Sequence, residues 1–186
     1  RDSVASRGLG DVYKRQISHK VFTETELHSR CEIMLENYCK TVIIEANTMV
    51  DMARKQILPA VQGYTAELAG GVAAKKAVST DIACGYESGL IARLSLLTDQ
   101  IAAKTDELEE SLLELKSVSD ITEEAYAIRD AVIGRMAALR TVADETETLT
   151  AGKYWPFPTY GELPEDTNVR FLFTYDGCLL YTSDAA

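Results

Sequence analysis

The chain has 186 residues, 46% of them apolar, with 29 acidic against 19 basic side chains and a formal charge of −10. That length suits one ordinary domain with a buried core, and the apolar content excludes wholesale disorder. The acidity argues against nucleic acid and membrane surfaces as partners, because phosphate backbones and anionic lipids carry the same sign of charge.

Residues 1–16 (RDSVASRGLGDVYKRQ) show neither helical nor strand periodicity, and 178–186 (CLLYTSDAA) are equally patternless. Both stretches resemble translated sequencing-adaptor segments and are set aside from the fold as an artefact. Residues 1–16 carry four basic and two acidic side chains and 178–186 one acidic, so the charge without them moves from −10 to −11. No run of 18 or more apolar residues occurs and no signal peptide opens the chain, so the expectation is a soluble, cytoplasmic protein.

The first helix is expected to start at Thr23, which with Glu26 three residues on makes a capping box, flanked by Val21 and Leu27 as a staple. Its apolar face reads Leu27, Cys31, Met34, Leu35, Tyr38, Val42, Met49, Met52, Ala53 and Leu58, at three-and-four spacing. Pro59 is placed to kink or interrupt it, and Gly70-Gly71 to end or loosen it. A second helix is expected from about Ile82 to Val118. Its near-heptad stripe is Leu90, Leu94, Leu97, Ile101, Lys104, Leu108, Ser111 and Leu115, with Lys104 and Ser111 as polar interruptions.

A third helix opens at Asp120, with Glu123 as a second capping box. It carries Ala125, Ile128, Val132, Met136, Leu139, Val142 and Leu149, and ends before Gly152. The short link between the second and third forces an antiparallel hairpin. The prediction is an all-α fold: an elongated antiparallel bundle of three long helices with an aromatic and proline-rich extended tail. That tail, Lys153 to Gly161, holds Tyr154, Trp155, Phe157 and Tyr160, and the expected fate of Trp155 and Phe157 is burial. Beyond it, Val169–Tyr175 is strand-like but has no evident pairing partner.

Little in the chain points to chemistry. The only histidines are His19 and His28. Thr25 stands where a Glu-x-x-His metal motif would need glutamate, and Glu24 with His28 reads as a surface pair. No nucleophile elbow, phosphate loop or dinucleotide fingerprint accompanies them, and Gly70-Gly71 lacks the lysine and hydroxyl of a phosphate loop. The pairs Glu109-Glu110 and Glu123-Glu124 read as solvated faces rather than acid–base dyads. Cys31, Cys39, Cys84 and Cys178 contain no C-x-x-C pair and read as reduced packing thiols. No residue is assigned a catalytic, cofactor-binding or metal-binding role.

Several segments in order resemble the C-terminal region of type III glutamine synthetases. They are His19–Glu24 (HKVFTE), Glu26–Arg30 (ELHSR), Ile33–Tyr38 (IMLENY), Ile57–Ala60 (ILPA), Lys75–Ala77 (KKA) and, most specifically, Leu149–Gly161 (LTAGKYWPFPTYG). The likeness covers about residues 18–163. It divides the chain into adaptor-like 1–16, a helical C-terminal domain at 17–163 and a non-family tail at 164–186.

The resemblance implies a fragment of a large cytosolic ligase that joins ammonia to glutamate with ATP and a divalent metal, Mg by implication. ATP phosphorylates the side-chain carboxylate of glutamate, and ammonia displaces the phosphate. No cofactor is expected in the fragment itself, and the isolated chain is expected to be inactive. The implied partners are its own upstream catalytic domain and neighbouring subunits of a homo-oligomer. Cys31 departs from the family pattern at a place that commonly holds an aromatic. The rival reading is a free-standing adaptor that binds proteins through Tyr154–Tyr160, and a weaker one is a small helical enzyme using His28.

Overall fold

The computed structural model describes residues 17–19 and 21–158, and every regular element among them is helical. The expectations placed on residues 1–16 and 159–186, including Tyr160, Val169–Tyr175 and Cys178, lie outside the described residues. Helix α1 spans Glu24–Met52 and passes through a π-turn, Ala53–Ile57, into α2, Leu58–Val78. Helix α3 spans Gly85–Leu115. Helix α4, Ile121–Ala127, passes through a second π-turn, Ile128–Val132, into α5, Ile133–Leu149.

The all-helical expectation therefore holds, but three unbroken long helices are not what forms. Between Glu24 and Leu149 there are five α-helices, of which two are long, α1 with 29 residues and α3 with 31. The π-turns are the reason. At the first, the Leu58 amide donates to the Ala53 carbonyl, five residues back instead of four. Proline has no amide hydrogen to donate and its ring crowds the carbonyl four residues earlier. A turn widened just before Pro59 relieves that crowding, so the helix passes the proline without stopping.

The start of α1 follows its capping signal. The Thr23 amide donates to Glu26 Oε2 at 2.8 Å, and the Glu26 amide donates back to Thr23 Oγ1 at 3.3 Å. The Val21 half of the expected staple stays exposed at 59%. Donation from the Thr23 backbone, then from its hydroxyl, holds the Glu26 carboxyl below its ordinary range. A carboxyl lowered in the folded state contributes stability above its unfolded pKa and loses it as pH falls through the folded value. Helicity at the first turn of α1 is thus expected to be flat near neutrality and to fray in acid. An NMR pH titration of Glu26 in the native chain, with Glu26→Gln showing no such transition, checks this.

Gly70 and Gly71 do not end the helix. They sit inside α2, which continues to Val78, and a Cβ built on either meets no atom within 4 Å. Glycine in an exposed helix interior costs backbone entropy without any return in packing. Gly70→Ala and Gly71→Ala are each expected to raise stability by about 0.5–1 kcal/mol, read from urea midpoints. At the other end of the next loop, Lys75 of α2 pairs with Glu87 of α3, drawing the Glu87 carboxyl below and the Lys75 amine above their ordinary ranges.

The core is one stripe from each helical run. Leu94, Leu97, Ile101, Leu108, Ile128, Val61 and Val132 are the largest apolar side chains fully removed from solvent. Arg54 follows the same register outside, its guanidinium 2.8 Å from Asp106 and 2.5 Å from Glu109. Partner numbers fall along α3 as they rise along α1 and α2, from Arg54 with Glu109 to Lys75 with Glu87. Arg93 of α3 pairs with Glu145 of α5.

Two sequence expectations about this core need correction. Lys104 is not in the stripe of α3. It lies at the flank, 2.8 Å from Glu107, and Thr105 takes the buried place. The buried positions 94, 97, 101 and 105 advance by three, four and four, an eleven-residue pattern that drifts less than a strict heptad on a straight helix. The second correction concerns α1. Its buried residues begin only at Cys39, so Cys31, Met34 and Tyr38 of the expected apolar face stay exposed.

Four hydroxyls are buried in this apolar setting: Thr105, Ser111, Thr146 and Thr150. Each donates to a carbonyl of its own helical run, at Ile101, Leu108, Val142 and Thr146, over 2.7–2.8 Å. No buried hydroxyl in this set is left unsatisfied, which removes the desolvation cost such groups otherwise carry.

After α5 the chain turns rather than extends. The amides of Tyr154 and Trp155 both reach the Ala151 carbonyl, at 2.8 and 3.3 Å. The described residues up to Pro156 form one compact unit, and Phe157 and Pro158 belong to a second.

Candidate functional site

No residue was expected to be catalytic, and the candidates weighed in the sequence are dispersed. His28 Nδ1 faces Glu32 Oε1 at 3.4 Å, one turn on, instead of the expected Glu24. These two side chains are 76% and 54% exposed, and such a solvated pair contributes little. Glu24, Thr25, His28, Ser29 and Glu32 line a shallow depression on α1. Glu109 is taken up by Arg54, and the Glu123 amide is held by Asp120 Oδ1 at 2.9 Å. Among the described residues no three His, Cys, Asp or Glu side chains converge as a metal site would require.

The cysteines divide by depth. Cys39 and Cys84 are buried free thiols, and Cys84 Sγ donates to the Ile82 carbonyl at 3.6 Å. Burial first, and the nearby Glu124 charge second, push the Cys39 thiol above its ordinary value. Cys31 is exposed, which corrects its reading as a packing thiol. An exposed position leaves no gap in the described core, whatever side chain stands there. In the folded chain, alkylation by iodoacetamide is expected at Cys31 within minutes while Cys39 and Cys84 stay protected, as peptide mass mapping would show.

The tail places its rings partly out of water. Tyr154 packs on Tyr64 of α2 with ring centroids 5.2 Å apart. Lys153 Nζ sits 4.7 Å over the Tyr154 ring and 3.0 Å from Glu67 Oε1, so ring and ion pair pin the turn to α2. Trp155 and Phe157 are half-buried rather than fully enclosed.

One cluster was not foreseen. Arg129, in the second π-turn, stacks over Tyr126 at 4.9 Å and is paired with Asp130 at 2.7 Å. The hydrogen bond from the Arg129 guanidinium holds the Asp130 carboxyl below its ordinary range. Helix α4, which carries Tyr126, packs against α1, which carries Tyr38. The sequence signal was available only as an aromatic and an arginine three apart, Tyr126 and Arg129, off the core stripe.

Comparison with known proteins finds one matching family and several related proteins. Residues 10–76 match the family described as glutamine synthetase C-terminal domain. The chain is 33% identical over 153 residues to a glutamine synthetase of Butyrivibrio fibrisolvens, covering 82% of this chain and 21% of that protein. It is 26% identical over 147 residues to a type-3 glutamine synthetase of Dictyostelium discoideum, covering 77% and 20%. It is 26% identical over 151 residues to a glutamine synthetase of Bacteroides fragilis (strain YCH46), covering 79% and 21%. The chain thus spans about a fifth of the length of the curated relatives it matches.

Proposed function

We propose, for a chain that carries the glutamine synthetase C-terminal domain, that it serves as the structural and assembly segment of an ATP-dependent glutamate–ammonia ligase. The observation that carries this reading is the ordered match of four-fifths of the chain to one-fifth of a glutamine synthetase. Its helices, in this reading, form an antiparallel bundle that packs on the catalytic portion and on neighbouring subunits of a homo-oligomer in the cytoplasm. The described residues gather no donor set that fits a divalent cation. In this reading ATP, metal and the phosphoryl-transfer chemistry belong to the part of a glutamine synthetase that this chain does not match.

No described helix is long and apolar enough to cross a membrane. The relatives give the adaptor reading through Tyr154–Tyr160 no support. An ammonia-dependent glutamine-forming assay on this chain alone is expected to be silent. Grafted in place of the matching segment of the Butyrivibrio fibrisolvens enzyme, it is expected to sustain oligomer assembly, read by analytical ultracentrifugation. Glutamine formation by the chain alone, or full assembly of the enzyme with the segment deleted, overturns the reading.

A further inference from the structure

The first turns of α1 carry an apolar stripe that the described core does not use. It begins at Leu27, yet the first buried residue of the helix is Cys39. Met34 is 70% exposed, and Tyr38 on the same stripe 38%. On α4, which packs against α1, Tyr126 is 55% exposed and carries Arg129 on its ring. Two tyrosines, an arginine and a methionine on adjoining helices have the composition of interface anchors. The tyrosines bring large, stiff contact area at low entropic cost, and methionine and arginine are enriched with them at interfaces.

Two observations choose among occupants. The first turns of α1 are acidic on balance: Glu24, Glu26, Glu32 and Glu36 stand among Arg30, Lys40 and His28, with Glu36 paired to Lys40, on a chain of net charge −10. Two copies meeting by this face would place like charges opposite one another, which disfavours self-association. Roughly four-fifths of each curated relative lies outside the matched segment. The family match, residues 10–76, takes in the helical run that bears Met34 and Tyr38.

We propose that Met34, Tyr38, Tyr126 and Arg129 form the face by which this segment docks on the catalytic portion of the synthetase, against an apolar recess rimmed by basic side chains. The proposal rests on the reading of the chain as a synthetase segment and adds to it which face is covered and by what chemistry.

The test uses the full-length Butyrivibrio fibrisolvens enzyme carrying this chain in place of its matching segment, compared by hydrogen exchange with the 186-residue chain alone. Amides of residues 27–38 and 121–130 are expected to exchange at least tenfold more slowly in the full-length protein. The double substitution Met34→Asp with Tyr126→Asp is expected to remove that protection, while Ile44→Asp, at an exposed apolar position away from the cluster, leaves it. Protection confined to other surfaces overturns the proposal and leaves the functional reading standing. Absence of new protection anywhere on the segment overturns both. A concentration-dependent dimer of the chain alone, dissolved by Met34→Asp, assigns the face to a second copy and overturns the proposal.

Should the chimera fail to fold, the chain is immobilised and titrated with the Butyrivibrio fibrisolvens enzyme lacking its matching segment. Binding weakened at least tenfold by the double substitution supports the proposal, and no binding, or binding indifferent to it, overturns it.

Discussion

Deleting Asp130 is expected to leave the chain folded, whereas deleting Gln100 is expected to unfold it. Both residues are exposed and both lie mid-helix, so neither burial nor exposure separates them. Backbone register does. Asp130 sits in the π-turn Ile128–Val132, which closes with one residue more than an α-turn. Removing one residue there returns the turn to α geometry and leaves Met136, Leu139 and Thr146 on the face they already occupy.

Gln100 sits in the unbroken α3. A deletion there rotates everything after it by about 100°, one residue's share of a 3.6-residue turn. Ile101, Thr105, Leu108, Leu112 and Leu115 would all leave the core. At about 1.5–3 kcal/mol for each large apolar side chain, the loss matches a domain's entire stability of about 5–15 kcal/mol. Circular dichroism with urea unfolding distinguishes the outcomes. A cooperative transition for the Asp130 deletion and none for the Gln100 deletion is the expected result, and equal damage by both would refute the register argument.

Leu108→Ala is expected to cost about 2–5 kcal/mol, the largest effect of any single substitution considered for this chain. Leu108 is wholly removed from solvent, on the stripe of α3 that faces the other helical runs. Truncation leaves a cavity whose lining side chains are themselves held by their helices and can close over it only in part. The midpoint of urea unfolding is expected to fall while its slope stays constant. Leu113→Ala, five residues along at a position 56% exposed, is the control and is expected to stay within about 0.5 kcal/mol.

Much of the fold was legible because helices announce their ends and faces chemically. Thr23 with Glu26 forms the expected capping box, whereas Asp120 caps its helix by accepting from the amides of Thr122 and Glu123, without the return bond from Glu123 that a box requires. The π-turns were not legible, because one extra residue in a turn leaves three-and-four spacing intact on either side. The sequence put Lys104 in the stripe of α3 at heptad spacing, and packing gives that place to the smaller, self-satisfied hydroxyl of Thr105.

Gly70-Gly71 misled in a different way. Glycine weakens a helix without ending it when its neighbours continue the run to Lys75 and Val78. The stripe at Cys31, Met34 and Tyr38 was read correctly as apolar. Periodicity reports that a face is apolar, not whether its cover is within the described chain. Tyr126 and Arg129 lie three apart on one helical run, so their contact was within reach of the sequence, but the packing of that run on α1 was not.

The buried hydroxyls have a consequence of another kind. Because Thr105, Ser111, Thr146 and Thr150 each answer to a carbonyl of their own run, none of these four hydroxyls ties one helix to another inside the described core. Neighbouring helices meet there as surfaces of volume alone. Such an interior lacks a directional lock. What fixes one helix against the next is the fit of Leu, Ile and Val, aided at the rim by Arg54, Lys75 and Arg93. Uniqueness of alignment is then a matter of shape rather than of chemical recognition. A repacked interior of conserved volume would keep the fold with every one of those hydroxyls gone.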